Sequence, residues 1–179
     1  MQTTIPARQG ARPRTTPRNP HTQLEQIAPI EVQDALAAHA LSLPGVRPGR
    51  SQVSVPGSVA FYLNKPINPP MMPALFVGEW GHIHPHDDGS LHLNLPQEVA
   101  DPLIEAGWAE YHSLVALGML PPLVVMLYGP RDQAELRIAE AIVEESYLRN
   151  GGATTDSVGR VLGLAGLDTT RSADAGSAP

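Results

Sequence analysis

Apolar and polar residues alternate on both sides of one short turn in the middle of the chain. Before the turn, His82, Ile83 and His84 alternate, and after it the residues 91–95 do the same. The intervening run 85–89 consists of residues that favour turns, and it ends in a glycine. Two alternating runs joined by a short turn predict a β-hairpin.

The register of this hairpin decides which side chains share a face. If residues 85–89 form the loop, His84 lies opposite Ser90 and His82 lies opposite His92. Alternation with period two then gives the hairpin one polar and one apolar face. The polar face carries His82, His84, Ser90 and His92. The apolar face, which is expected to pack against the protein, carries Ile83, Leu91, Leu93 and Leu95.

Helical and strand patterns follow one another closely in the rest of the chain. Helices are predicted over residues 31–43, 97–106 and 132–149, with Pro102 in or near the first turn of the second. Further strands are predicted over residues 52–55, 59–63, 108–111 and 123–128. The last of these is continuously apolar, which is typical of a central strand. This order favours an α+β fold: an antiparallel sheet with a histidine-bearing β-hairpin, covered by a few helices.

Composition divides the chain into three parts. Residues 1–22 are basic and rich in proline with almost nothing to bury, which predicts a disordered tail. Residues 23–152 are predicted to form one α+β domain. Residues 153–179, with a weak helical pattern at 154–164, are predicted to be a flexible tail. Within the domain, the proline-rich run 64–73 is either a lid over the hairpin or a plain connector.

The absence of cysteine excludes disulfides, zinc–thiolate sites and thiol nucleophiles. It also favours a reducing compartment, so a cytoplasmic location is expected. No apolar run is long enough to span a bilayer, and the first residues lack the apolar core of a signal peptide. The formal net charge of −6 argues against nucleic-acid binding, which needs clustered Lys and Arg. The expected partner is therefore a small molecule, and the sequence leaves the oligomeric state open.

The hairpin holds four of the seven histidines of the chain. Histidine titrates near neutral pH and is the commonest metal ligand, so His82, His84 and His92 on one face predict a functional site. The alternative is a polar strand face turned to solvent. His86, in the loop, is expected to be exposed. His112, at the end of the strand 108–111, is either a further site residue or a satisfied polar residue.

Three stretches of the sequence resemble the luciferase domain of the fungal bioluminescence pathway and its bacterial relatives. They are GEWGHIHPHDDGSLHLNLP, EAGWAEYHSL and VVMLYGPRDQAELRIAEAIVEES. The resemblance covers roughly residues 75–150. Fungal luciferases oxidise 3-hydroxyhispidin, a hydroxylated α-pyrone, with O2, through an endoperoxide that loses CO2. The fungal enzymes also carry an N-terminal membrane segment, where this chain has an arginine- and proline-rich tail.

This resemblance implies an oxygenase that acts with O2 on an enolic or α-pyrone-like small molecule, without a cofactor and not necessarily with light emission. An electron-rich enolate reduces O2 directly, so the protein need only supply a base, orient the substrate and stabilise the anions. The implied catalytic residues are Glu79, His82, His84, His92 and His112. The implied substrate-binding residues are Ser90, Trp108, Tyr128 and Arg131. Two alternatives are equally open: Trp108 packs in the core, and Arg131 makes a local contact with Asp132.

Two other functions remain open. A metalloenzyme of cupin-like chemistry would use His82, His84 and His92 as ligands for Fe(II), Mn(II) or Zn(II). A non-catalytic module would use the same histidines to bind a small molecule or a partner. A deep pocket beside the hairpin favours an enzyme, and a flat exposed histidine face favours the module.

Overall fold

The computed structural model of the protein describes residues 5–64 and 78–153. The predicted segment 64–73 lies almost wholly outside this range, as do the weak helix at 154–164 and nearly all of the predicted C-terminal tail. The helices are α1 (Ile30–Ser42), α2 (Gln97–Glu105), α3 (Ser113–Ala116) and α4 (Gln133–Arg149). The strands are β1 (Val46–Arg50), β2 (Val59–Leu63), β3 (Glu79–Ile83), β4 (Leu91–Asn94), β5 (Ala109–Tyr111) and β6 (Val124–Leu127).

The six strands form one sheet in the order β1-β2-β3-β4-β6-β5, and every neighbouring pair is antiparallel. Strand β6 lies between β4 and β5 and is buried along its whole length, as its continuous apolar run predicts. The predicted α+β fold is confirmed. None of the described helices is both long enough and apolar enough to cross a bilayer.

The hairpin of β3 and β4 has the predicted register. His82 pairs with His92 and Ile83 pairs with Leu91. The amide of His84 donates to the carbonyl of Ser90 at 2.9 Å, so the loop between them is the predicted one. His86 and Asp87 are the exposed residues of this loop, and the exposure of His86 was predicted.

Helices α1 and α4 cover the apolar face of this sheet. Leu36 and Ala40 of α1 and Ile142 and Val143 of α4 are buried in one core with the apolar residues of the hairpin. Helix α4 begins as the sequence predicts, because the carboxylate of Asp132 accepts the amides of Ala134 and Glu135. The core thus fixes the back of the sheet and leaves the histidine-bearing face free for other contacts.

The prediction was wrong about the first strand and about a proline. The partner of β2 is Val46–Arg50 and not residues 52–55, although Pro48 and Gly49 are unusual in strands. An edge strand tolerates both, and a Cβ on Gly49 would lie 2.6 Å from the Tyr62 ring, which needs that space. Pro102 lies inside α2 and not in its first turn. Both Pro102 and Glu98 are exposed, so water can reach the carbonyl that the proline leaves without a donor.

The N-terminal residues also differ from the prediction of a disordered tail. Residues 5–22 lie along the domain, and their anchor is Arg8, which is 7% exposed. Its guanidinium donates to the carbonyl of Gly129 and forms a buried ion pair with Glu135 at 3.2 Å. The indole of Trp108 donates to the carbonyl of Pro6 at 2.6 Å. Specific polar contacts, which composition does not reveal, replace the missing apolar burial.

Candidate active site

The strand pairing places one row of residues across the polar face of the sheet. Starting from β2, directly opposed positions on successive strands are Ala60, His82, His92, Met126 and Glu110. Side chains in such a row lie about 5 Å from their neighbours. The row therefore brings two histidines and a carboxylate together from three strands.

A β-bulge in β3 adds a second carboxylate to this face. Tyr62 pairs with Glu79 while Phe61 pairs with Gly81, so Trp80 is the extra residue. The bulge shifts the alternation by one. Trp80 consequently packs on the helix side, and the carboxylate of Glu79 lies 3.0 Å from Nδ1 of His82 on the other side. Without the bulge, Glu79 and His82 would lie on opposite faces.

Five buried histidines meet on this face, and we call them the histidine cluster: His21, His82, His84, His92 and His112. His92 is its centre. Its Nδ1 lies 3.1 Å from Nε2 of His82, and its Nε2 lies 3.2 Å from Nδ1 of His21. The ring centroids of His84 and His112 lie 4.8 Å and 4.7 Å from that of His92. The predicted cavity residues His82, His84, His92 and His112 are thus brought together.

Each of three cluster rings has a carboxylate at one nitrogen. Glu79 accepts from His82, Asp88 accepts from Nδ1 of His84, and Glu110 lies 2.7 Å from Nε2 of His21. Burial alone would raise the pKa of each carboxyl group. Hydrogen bonds reverse that effect and lower all three pKa values below the usual range. The carboxylates are therefore ionised at neutral pH and hold the orientation of the rings.

Asp88 and Glu110 also connect the cluster to the rest of the protein. Asp88 accepts the backbone amides of Gln23 and Ser90, at 3.2 Å and 3.1 Å. Glu110 accepts the hydroxyls of Thr15 and Tyr128, at 2.6 Å and 2.9 Å. Each carboxylate therefore joins the sheet face to the N-terminal segment.

The cluster forms one wall of a cavity of about 330 Å³. The polar wall is His21, His82, His84, His92 and His112. The rest of the lining comes from the N-terminal segment, the loop after β1, the region of α3, and β6: Asn19, Pro20, Val53, Ser54, Val55, Leu114, Leu120 and Val124. A largely apolar cavity with convergent polar groups and a volume in this range is typical of a small-molecule site.

Five of the predicted site residues lie outside the cavity lining: Glu79, which contacts His82 from behind, and the four predicted substrate-binding residues. The hydroxyl of Ser90 contacts Asp88 and Nδ1 of His84, at 2.6 Å and 3.3 Å, behind the histidine wall. Trp108 and Tyr128 are buried beneath Arg8, whose guanidinium lies 6.0 Å and 5.5 Å from their rings. Arg131 pairs with Glu135 and not with Asp132, at 2.8 Å from its Nε. In the structure, these four side chains contact the N-terminal segment, Glu135 or the residues that orient the rings.

Sequence reasoning missed three residues of the site. Glu110 precedes His112 by two positions, and period-two alternation from His112 would have found it. Asp88 lies in the turn, where an aspartate side chain normally hydrogen-bonds to the backbone of the turn. His21 carried no signal, because it belongs to a proline-rich segment whose order depends on contacts more than sixty residues away in sequence.

Burial and mutual proximity keep most of the cluster uncharged. Burial, followed by the nearby rings, lowers the pKa of His92 well below its usual value. Burial also lowers the pKa of His112 to about 4. For His82, burial lowers the pKa although the hydrogen bond to Glu79 opposes this effect. At neutral pH each of these three rings therefore keeps one unprotonated nitrogen.

These shifts predict that metal-free protein becomes less stable as the pH falls from about 6.5 to 4. In this pH window the histidines of the unfolded chain bind protons, whereas the shifted histidines of the folded protein stay neutral. Each shifted histidine therefore lowers the free energy of unfolding by up to about 1.4 kcal/mol per pH unit. The lowered carboxyl pKa values act in the same direction below about pH 4.5. Urea unfolding with a chelator present, from pH 7.5 to 4, measures the effect.

Two variants test whether the cluster causes this slope. In His112→Asn, which keeps a good N-cap for α3, the slope should decrease. In His86→Asn, which alters an exposed ring, it should not change. Equal slopes in all three proteins would show that the cluster does not control the pH dependence.

The structure is thus an α+β domain with a cavity that is lined by carboxylate-oriented histidines. Comparison with known proteins specifies the family. The model of the luciferase domain matches residues 77–146, and this part of the chain belongs to the luciferase-domain family. The match includes the hairpin, Glu110 and His112, and it leaves out His21.

Fungal luciferases are similar to the same region. The luciferase of Neonothopanus nambi is 34% identical over 86 residues, and those of Armillaria mellea and Armillaria ostoyae are 31% and 33% identical over the same length. The aligned segment is 47% of this chain and 31% of each luciferase, so the chain spans less than a third of these relatives. No solved structure matches the chain.

Proposed function

We propose that the cavity is the active site of a luciferase-like oxygenase that acts with O2 on an enolic or α-pyrone-like small molecule. The observation that carries this proposal is His84, a buried ring with a carboxylate on one nitrogen and a free nitrogen at the cavity. The family match and the similarity to proteins named luciferase support the reaction class. Light emission is not part of the proposal.

His84 is the best candidate for the base. Its Nδ1 donates to Asp88, so the lone pair of the neutral ring is on Nε2. Among the described residues, Nε2 has no hydrogen-bond partner, and the ring lines the cavity. A carboxylate that fixes the tautomer and stabilises the protonated ring is the arrangement of a general base. An enolic hydroxyl against Nε2 would transfer its proton there.

His112 is the best candidate for the donor to the resulting anion. Its Nδ1 accepts the amide of Leu114 at 3.1 Å, so the neutral ring carries its proton on Nε2. A fixed N–H donor that lines the cavity stabilises an enolate or peroxide more than the neutral substrate. His84 and His112 therefore have opposite tautomers and opposite roles.

The oxidation needs no external reductant. The enolate supplies both electrons for the new bond between its carbon and O2, and the proton held by His84 returns to the peroxide oxygen. The apolar side of the cavity includes Val53, Val55 and Leu120, and it suits a planar molecule of one or two rings. Cofactor-free chemistry of this kind is what the family resemblance implies.

Oxygen uptake by the purified protein tests the proposal. A panel of 4-hydroxy-α-pyrones and other enolic compounds is expected to include a substrate. With it, His84→Gln should lower the rate by about 10²- to 10⁴-fold, the usual contribution of a positioned base. His86→Gln, in the same loop but exposed, should retain full activity. Compounds that bind without any O2 uptake would overturn the oxygenase and favour the non-catalytic module.

The metalloenzyme is the second candidate, and one observation favours it specifically. His82, His84 and His92 each present a ring nitrogen, and the three atoms lie within 4.8 Å of one another. In that case the same nitrogen of His84 is a ligand and not a base.

A further inference from the structure

We propose that Nε2 of His82, Nε2 of His84 and Nδ1 of His92 bind one divalent first-row transition-metal ion. The inference follows from hydrogen-bond directions and charge in the histidine cluster, and it makes Nε2 of His84 a ligand where the cofactor-free reaction uses that atom as the base. Two trios of the cluster have ring nitrogens close enough for a shared ion: His82, His84 and His92, and His21, His92 and His112. The structure distinguishes between them.

Two rings of the first trio already donate a hydrogen bond from the nitrogen that points away from the other rings. Nδ1 of His82 and Nδ1 of His84 donate to Glu79 and Asp88. This leaves a lone pair on Nε2 of each ring. Metal-binding histidines typically donate their other N–H to a carboxylate or carbonyl in this way, which fixes the ring and increases its basicity.

Counting protons leaves two places where an ion can lie. Glu79, His82, His92, His21 and Glu110 form a continuous row with four polar contacts. Three neutral imidazoles supply only three N–H groups, so one contact has no proton unless a ring carries two. Since His82 and His21 donate to the carboxylates at the two ends, the contact without a proton is His82–His92 at 3.1 Å or His92–His21 at 3.2 Å. Two lone pairs then point at one another, which a cation between them makes favourable.

The second trio lacks a third free lone pair because of His112. Its Nδ1 already accepts the amide of Leu114, so its proton is on Nε2. Neither nitrogen of the neutral ring has a free lone pair for an ion. Binding there would require breaking the hydrogen bond that caps α3.

Charge supports a divalent ion. Three ionised carboxylates, Glu79, Asp88 and Glu110, surround the cluster. In the described parts of the chain, none of their hydrogen-bond partners is an arginine or a lysine. Glu79 and Asp88 are buried and Glu110 is partly buried, and buried negative charge without a counter-ion is costly. An ion of charge two balances most of it without adding a proton to any ring.

The geometry suits tetrahedral coordination with an open position. Bonds of about 2.1 Å to imidazole nitrogen separate tetrahedral ligand atoms by about 3.4 Å. The His82–His92 separation is 3.1 Å, and the full trio lies within 4.8 Å, which is close to this spacing. Imidazole ligands suit Zn²⁺, Fe²⁺ or Co²⁺ better than Mg²⁺ or Ca²⁺. All three rings line the cavity, where a bound ion would supply Lewis acidity to an enolic oxygen.

Cobalt binding by chelator-treated, full-length protein tests this inference without any activity assay. Titration with Co²⁺ should give the visible absorption of a tetrahedral site at one equivalent, with elemental analysis confirming the stoichiometry. His84→Ala and the more conservative His84→Gln should each weaken binding by at least about 10²-fold. Glu79→Gln should weaken it by about 10- to 100-fold, the usual effect of losing an outer-shell partner.

The control is His112→Asn, which changes the rejected trio and should leave the affinity unchanged. No binding to the wild-type protein would overturn the inference, and so would equal losses in His84→Gln and His112→Asn. Circular dichroism of the metal-free variants verifies that they are folded. Metal binding without O2 uptake would leave this inference standing and count against the oxygenase, whereas uptake by metal-free protein without metal binding would do the reverse.

Discussion

Asp88→Asn is expected to lower the rate of the proposed reaction by about 10³- to 10⁴-fold while the protein stays folded. The amide of asparagine keeps one oxygen for the backbone amides of Gln23 and Ser90. It presents an NH2 group to His84, where the carboxylate presented an acceptor. The ring must then accept at Nδ1 and carry its proton on Nε2, which removes the free lone pair. The corresponding Asp→Asn change in Ser-His-Asp enzymes costs about 10⁴-fold through the same tautomer switch.

Asp87→Asn is the matched control for this substitution. Asp87 is the preceding residue in the same turn and is exposed, so the same chemical change should leave the rate within about twofold of the wild type. Circular dichroism separates positioning from folding: the far-ultraviolet spectrum of Asp88→Asn should match that of the wild type although the rate falls. Full activity in Asp88→Asn would mean that Nε2 of His84 is not the reactive atom.

Arg8→Ala is expected to lower the free energy of unfolding by about 3 kcal/mol. Removing one partner of a buried ion pair typically costs 3–5 kcal/mol, and the lower end applies because Arg131 still contacts Glu135. The same change removes the donor to the carbonyl of Gly129. Urea unfolding measures the loss.

Arg18→Ala is the matched control in the same segment, because Arg18 is exposed and a surface change of this kind shifts stability by at most about 0.5 kcal/mol. Limited proteolysis provides a second measurement, since residues 5–22 of Arg8→Ala should be cleaved much faster than those of the wild type. Equal stability of both variants would show that the segment is not held by Arg8, and the prediction of a disordered tail would then be favoured.

The parts of the fold that were predictable from the sequence are those governed by local patterns. Alternation across the turn gave the register of His82 with His92, and helical spacing with Asp132 as a cap gave the start of α4. Strand β1 was missed because Pro48 and Gly49 are unusual in strands and interrupt the pattern. The strand forms nevertheless because it lies at the edge of the sheet, where the ring of Tyr62 packs over Gly49. The bulge at Trp80 was also missed, although it decides that Glu79 reaches His82.

The candidate site was predictable only where its residues lie on regular strands. His82, His84 and His92 follow from alternation alone. His21 and the role of Arg8 depend on contacts over long sequence separations, which no local pattern encodes. The family resemblance implies substrate-binding residues that include Trp108, Tyr128 and Arg131. In the structure these three side chains contact the N-terminal segment. A resemblance identifies shared residues without showing which of them face the cavity.

Both proposals depend on the tautomers of three rings: the carboxylates leave unprotonated Nε2 atoms on His82 and His84, and the amide of Leu114 leaves an N–H on His112. Long-range ¹H–¹⁵N NMR of the histidine rings in metal-free protein, at pH 7.5, measures these tautomers directly. We predict Nδ1–H for His82 and His84 and Nε2–H for His112. An Nε2–H tautomer at His84 would contradict both proposals, because that ring would then be neither the base nor a metal ligand.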